Sequence, residues 1–392
     1  MNNKNLLIVW PGYRRYNSQF FEILRSNSNC NIRIIWIRRY REDDRPSSEF
    51  MRKFPSTIIG ADNVRVTGYN LKTFYRLLIA LCHDIQWCDG ILTSTQAPLH
   101  SKIAFIFSRV FKKKVFIIIE QWIKLSNKSF LYRLYESFGY YMMRNCSTLF
   151  VHGKNQSDFA LSNGVDKNKV RTLPFLSDDL SKLKLVNKNL RKQLSINNQL
   201  VILYFGRITR GKGLKDLLHA YTRIESDRPD ALLLICGGVD SHFQGYQEDT
   251  KYEKECKDLA IKLGCKAIFT GPVKPSEKQD YIAISDIFVH PHTASVNLYD
   301  GWGLILNEVA SMSLPIISTD RVGAVKDLVI NNFNGYIIPA GSIDLMADRL
   351  KRLLNDTQKR VKFSKNSREV FERYHQPERI ANEINMAMKN GC

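Results

Sequence analysis

A chain of 392 residues exceeds one ordinary core and suits two α/β domains, at roughly 100 to 200 residues per domain. Its 44% hydrophobic and 24% charged fractions exclude a disordered or fibrous chain, and no apolar run approaches the roughly 18 to 20 residues of a membrane span. The net charge of +20 calls for phosphate-bearing or anionic partners, and residues 1–180 carry +13 of it against +7 for the rest.

The first apolar run, Leu6–Trp10, follows Lys4 with no signal-peptide cleavage pattern, so the chain is expected in the cytosol. Short β-branched and aromatic runs then recur at Ile32–Ile37, Val64–Tyr69, Gly90–Thr95, Val115–Ile119, Thr148–Val151 and Val170–Pro174. Most of the gaps are long enough for a helix, which is the rhythm of a parallel sheet wrapped by helices. After a polar stretch, Ser177–Gln199, a second series follows: Leu200–Phe205, Ala231–Cys236, Ala267–Thr270, Ile287–His290, Leu314–Thr319 and Gly335–Pro339. Val361–Met388 has helical spacing and no strand to follow, so it is expected to pack as helix. The reading is an α/β chain of two doubly wound, Rossmann-like domains, 1–180 and 181–370, with 371–392 as a C-terminal helix returning to the first. Sheets of this kind bind ligands at the carboxyl ends of their strands, so two facing sheets make a cleft lined by strand-to-helix loops.

The loop after Phe205, Gly206-Arg207-Ile208-Thr209-Arg210-Gly211-Lys212-Gly213, precedes an amphipathic helix, Leu214–Ile224. It nearly matches a P-loop, but Gly213 stands where a hydroxyl would hold magnesium. Glycine backbone, a helix start and the cations Arg207 and Lys212 suit a diphosphate without a metal; a solvated glycine turn is the alternative. Further on, Asp300-Gly301-Trp302-Gly303-Leu304-Ile305-Leu306-Asn307-Glu308 leads into a helix expected to run to about Ser313. Glu308 lies about 7.5 Å along the axis from Gly303, so a phosphate at the helix start would bring a ribose near it. A carboxylate accepting from two adjacent hydroxyls holds a ribose, and Asp300 in the preceding loop is placed for hydroxyls of a transferred sugar. A solvated Glu308 and a capping Asp300 remain open on spacing alone. The eight cysteines include no Cys-x-x-Cys pair, and the chain has no Asp-x-Asp, so no metal site is expected.

Together, Gly206-Arg207-x4-Lys212-Gly213 and the Asp300-x7-Glu308 pair enclosing Gly303-Leu304 resemble the retaining glycosyltransferases of the GT-B fold, family 4 or glycosyl transferases group 1. Phe269-Thr270-Gly271-Pro272-Val273, Ser285-Asp286-Ile287-Phe288-Val289-His290-Pro291, Gly323-Ala324-x2-Asp327 and Asn334-Gly335 extend the likeness over most of the second half. The resemblance implies that Arg207 and Lys212 neutralise the diphosphate of a UDP- or GDP-linked sugar, that Glu308 holds the ribose, and that Asp300 touches the donor sugar. It puts Val273 by the base, Gly206, Gly303 and Leu304 in the donor site, and Gly12 in a loop turned toward the diphosphate. It also implies a polar residue beside the reacting sugar in the first half, where Glu120, after Val115–Ile119, is the candidate and His152 its rival. Asp300 replaces the commoner Glu, Ala324 a second Gly, and His292 the usual Ser, which leaves the donor sugar open.

The implied activity is a metal-independent, cofactor-free hexosyl transfer with retention onto a glycan or lipid-linked acceptor, as in bacterial surface polysaccharide, lipopolysaccharide or glycolipid synthesis. Nucleic acid is not an expected partner of such an enzyme. Segments Lys72–Trp87, His100–Lys114 and Lys128–Asn145 mix cations with large apolar residues, which suits peripheral contact with an anionic membrane at its cytoplasmic face. A nucleotide-sugar epimerase on the same scaffold, or a basic binding module without catalysis, is the alternative reading.

Overall fold

The computed structural model describes residues 3–13, 17–37, 48–60, 71–94, 98–124, 129–239, 246–293 and 299–389. The chain divides into two compact units, residues 1–176 with 376–392, and residues 177–375.

The first unit is built on a parallel seven-stranded sheet: β1 (Lys4–Trp10), β2 (Cys30–Trp36), β3 (Ser56–Ile58), β4 (Gly90–Ser94), β5 (Lys114–Ile119), β6 (Thr148–Val151) and β7 (Val170–Thr172). Their spatial order is β3-β2-β1-β4-β5-β6-β7. Leu6, Leu7, Ile8 and Val9 are all fully buried, because helices cover both faces of a central parallel strand. Alternation then sorts them. Leu6 and Ile8 join Phe21, Leu24 and Phe54 on one face, while Leu7 and Val9 meet Leu77, Leu81 and Ile103 on the other. The C-terminal helix Pro377–Lys389 presents Ile380, Ile384 and Met388 at a spacing of four to the first of these faces, and Lys114 Nζ donates to the Met388 carbonyl at 2.7 Å.

The second unit carries six parallel strands: β8 (Leu200–Phe205), β9 (Ala231–Cys236), β10 (Ala267–Gly271), β11 (Ile287–His290), β12 (Ile316–Thr319) and β13 (Gly335–Ile338), in the order β10-β9-β8-β11-β12-β13. In both sheets the connections reverse direction beside the first strand, between β1 and β4 and between β8 and β11. Crevices of doubly wound sheets open at such points.

The departures from the sequence reading have local causes. The expected strand Val64–Tyr69 lies outside the described residues, and the edge strand β3, three residues long after Pro55, was missed because so short a run has no period to detect. β12 begins at Ile316, two residues later than expected, since Pro315 has no N–H for the ladder; its carbonyl instead accepts from Phe288 N at 2.9 Å. The helix after Gly303 spans Ile305–Ser311 and ends before Ser313, whose φ is +62°. Val361–Met388 belongs to two helices, Thr357–Tyr374 and Pro377–Lys389, because the residue before a proline is driven out of helical geometry. Among the described residues no helix is long and apolar enough to cross a membrane.

Candidate active site

The loop leaving β8 is fixed first by its backbone. Gly206 N donates to Cys236 O at 2.9 Å and Ile208 N to Gly238 O at 3.0 Å, which extends the β8–β9 pairing past the sheet. The fully buried Ile208 side chain anchors the loop from below. A 3-10 turn, Arg210–Lys212, follows, and Gly213 at φ +68° starts the helix Leu214–Glu225. A Cβ at Gly213 would lie 1.9 Å from the Pro291 carbonyl oxygen, so only glycine lets this loop rest on the chain leaving β11. Thr293 N completes the contact by donating to Gly211 O at 3.0 Å. Lys212 is thereby held at the carboxyl end of β11, at the reversal point of the sheet.

The loop's cations are already engaged in different ways. Arg210 turns outward to Glu255 at 3.2 Å and covers the Tyr252 ring. Lys212 is ion-paired with Asp300. Arg207 is half-buried, and its carbonyl accepts from Tyr204 Oη at 2.7 Å.

The loop that carries Asp300 is set by backbone bonds to residues 321–324. Asp300 N donates to Arg321 O at 2.9 Å, Asp300 O accepts from Gly323 N at 3.0 Å, and Trp302 O accepts from Ala324 N at 2.8 Å. Gly303 then turns the chain at φ +85°; a Cβ there would meet Val322 Cγ1 at 2.5 Å, with the His290 ring 3.6 Å away. The Asp300 carboxylate lies 3.4 Å from His290 Nε2 as well as against Lys212. Burial by itself would push its pKa up, but Lys212 and His290 outweigh that and hold the carboxyl well below the usual range. Burial lowers the His290 pKa against the pull of Asp300, and lowers that of His292 to about 3, where Lys212 and His290 add to the effect. Both rings are neutral near pH 7.

Glu308 sits in the first turn of Ile305–Ser311, 8% exposed, and its Oε1 accepts from Lys278 Nζ at 2.7 Å. Burial raises its pKa, with Lys278 pulling the other way and Asp178 adding to the rise. Lys278 begins the helix Lys278–Ala283 and lies 5.9 Å from the centroid of the Phe205 ring, at the end of β8. Val273 is half-buried in the loop after β10, next to Pro272, whose ring approaches within 3.1 Å of a Cβ built on Gly238. Leu304, partly buried, accepts the Glu308 N–H on its carbonyl at 3.3 Å.

The second unit therefore brings Lys212, Asp300 and Gly303 together around His290, and gives Glu308 a lysine partner. Sequence reasoning missed Lys278 and the place of His290 beside Asp300. Nothing in spacing separates Lys278 from neighbouring lysines, and His290 reads as the last residue of an apolar strand. Among the described residues the first-unit candidates follow three different strands. Gly12 follows β1, partly exposed, and Glu120 follows β5, exposed. His152 follows β6 but is buried, with Nδ1–H donating to Leu173 O at 3.0 Å and its ring edge against Phe175; burial takes its pKa down to about 4. Among the described residues no group of three or more His, Cys, Asp and Glu side chains converges as a metal ion requires.

Residues 186–370 match the family model of glycosyl transferases group 1. An uncharacterized glycosyltransferase of Methanocaldococcus jannaschii is 22% identical over 92% of each chain. The lipopolysaccharide 1,2-N-acetylglucosaminetransferase of Salmonella typhimurium is 26% identical over 52% of this chain and 51% of its own, so that match spans about half of each. Among solved structures, Anabaena HepE in complex with UDP superposes with a TM-score of 0.74 over 98% of both chains at 17% identity. The chain has the GT-B fold, and its residues 186–370 match the glycosyl transferases group 1.

Proposed function

We propose that the enzyme takes a sugar from a UDP- or GDP-linked donor and passes it, with retention and without a metal, to a glycan or lipid-linked acceptor. The observation that carries this reading is the seating of Lys212, through Gly213, at the β11 end beside Asp300. A diphosphate there gains charge as the glycosidic bond breaks, and Arg207 and Lys212 stabilise that charge more in the transition state than before it. Asp300, kept ionised, accepts from hydroxyls of the transferred sugar, Glu308 accepts from the ribose, and Val273 flanks the base. Gly206, Gly303 and Leu304 let the backbone approach the donor. For the first unit the proposed roles are contact with the diphosphate for Gly12 and with the reacting sugar for Glu120.

The placement in surface-glycan synthesis draws on relatives of that work: the capsular polysaccharide biosynthesis glycosyltransferase CapM of Staphylococcus aureus, 25% identical over about half of each chain, and the Salmonella enzyme. The nucleotide draws on HepE, which holds UDP. Contact with an anionic membrane draws on helices Leu71–Ile85, Leu99–Val110 and Phe130–Asn145. They expose Leu71, Tyr75 and Ile79, then Ile106 and Val110, then Phe130 and Leu134, in steps of four, among exposed Lys72, Arg76, Arg109 and Arg133.

The test is a panel of nucleotide-sugars in EDTA. A donor at 100 times its dissociation constant should add roughly 2.7 kcal/mol of stability, and nucleoside diphosphate should be released at an undiminished rate with chelator present. A glycosidic product of the donor's own anomeric configuration completes the expectation. Absence of both stabilisation and turnover across UDP- and GDP-sugars overturns the donor assignment, and loss of turnover in EDTA that magnesium restores overturns the metal-free mechanism.

A further inference from the structure

We infer that Lys278 is a positioning residue for nucleotide recognition, holding the Glu308 carboxylate so that it can accept from both hydroxyls of a donor ribose. The inference rests on the reading of Glu308 as the ribose acid.

The geometry comes first. Lys278 starts the helix that follows the β10 loop, Glu308 lies in the first turn of the helix that follows the β11 loop, and the lysine's ammonium reaches over Phe205 at the end of β8. The ion pair thus links the starts of two helices beside the end of β8, where the sheet reverses. Only Glu308 Oε1 is engaged, at 2.7 Å; no other hydrogen bond to this carboxylate exists among the described residues, so its second oxygen keeps its acceptor capacity.

The chemistry follows from burial. An acid only 8% exposed, with the Asp178 charge also acting on it, favours its protonated form, and Lys278 is the cation that opposes this. A protonated carboxyl spends one oxygen as a donor, whereas a ribose diol offers two O–H donors and needs two acceptors. Stability is a weak reason for the pair, since buried ion pairs add little over apolar side chains of similar size. Lys278 therefore acts through Glu308.

The experiment uses the full chain and calorimetric titration with UDP or GDP, whichever wild type binds more tightly, against its 2′-deoxy counterpart. Wild type should favour the ribonucleotide by about tenfold, the worth of a charge-assisted hydrogen bond. Lys278→Met should cut that preference to about twofold while the deoxynucleotide binds almost as before, and Lys278→Arg should restore most of it. Equal loss of both ligands in Lys278→Met, or an unchanged preference, overturns the inference. Glu308→Gln separates the two levels of the argument. A preference that survives Glu308→Gln defeats the ribose assignment itself. A preference lost in Glu308→Gln but intact in Lys278→Met defeats only the role of Lys278. A melting temperature for each variant shows that the comparison is made on folded protein, and the Glu308→Gln, Lys278→Met double variant, expected to match Glu308→Gln alone, keeps the test open if the lysine variant folds poorly.

Discussion

Each of the two sheets places its first strand between its second and its fourth, and each opens toward loops at the same strand ends. At the β8–β11 end those loops lock together through Gly213 on Pro291 and Gly303 on Val322, and four polar side chains, Lys212, Asp300, His290 and His292, are drawn into mutual contact or electrostatic range. The first unit shows no such convergence among its described residues. Glu120 and His152 follow β5 and β6, away from the reversal beside β1, and the histidine spends its Nδ1–H on a backbone carbonyl. The same architecture thus supplies a crevice twice, while the chemistry comes from what the loops carry. Glycine marks the difference: where two loops pack this closely, against a backbone carbonyl at Gly213 and a valine methyl at Gly303, a Cβ is excluded and the sequence shows it.

The sharpest way to test that contrast is to remove its cations. Arg207→Ala and Lys212→Ala should each lower turnover roughly ten- to a hundredfold, from the loss of about 1.5 to 3 kcal/mol of charge-assisted bonding to the leaving diphosphate. Lys212→Ala should lie at the upper end, because it also leaves the Asp300 carboxylate without its ammonium partner. Unchanged melting curves with near-normal rates in both variants would show that the loop is a turn and nothing more.

A smaller effect probes the other side of the contrast. His152, with a pKa near 4 against 6.5 when unfolded, takes up protons more readily in the unfolded chain, so its contribution to stability is present above pH 6.5 and is lost as the pH falls toward 4. Between pH 7 and pH 5 wild type should lose about 2 kcal/mol more than His152→Gln in chemical denaturation. Identical losses would mean that His152 protonates freely in the folded protein, and the histidine would return as a rival to Glu120.

How far the sequence could be read follows the same division. Fully buried parallel strands such as Leu6–Val9 and Val201–Leu203 are apolar on both faces, so each sheet was visible as a series of short runs. In the second unit the loop motif was visible because Gly213 and Gly303 are forced by contacts, and Arg207, Lys212, Asp300 and Glu308 keep fixed distances from them along the chain. Lys278 and His290 escaped because their roles depend on which loops meet, and that is settled by strand order. The first unit gave outline only: among the described residues its loops carry no forced glycine pair, and Val64–Tyr69 falls outside them.

The finest test divides labour within the second unit. Asp300 and Glu308 are eight residues apart and both poor in solvent contact, yet their surroundings push them in opposite directions: Lys212 and His290 hold Asp300 ionised, whereas burial raises Glu308 despite Lys278. If Glu308 holds the ribose, Glu308→Gln should weaken the free nucleoside diphosphate and the intact donor alike, by about tenfold. If Asp300 addresses only the transferred sugar, Asp300→Asn should leave nucleoside diphosphate affinity within about twofold and still cut transfer by about tenfold, since its partner hydroxyls are absent from the diphosphate. Asparagine preserves the shape of the Asp300 side chain, and the bonds of residue 300 to Arg321 and Gly323 are made by backbone alone, so a collapse of the loop is not the expected cause of any loss. Calorimetric titration with nucleoside diphosphate, set beside initial rates with the donor, resolves the two patterns. Equal loss of nucleoside diphosphate affinity in both variants would place Asp300 at the ribose or the diphosphate, and the donor sugar would then have to be held by another part of the site.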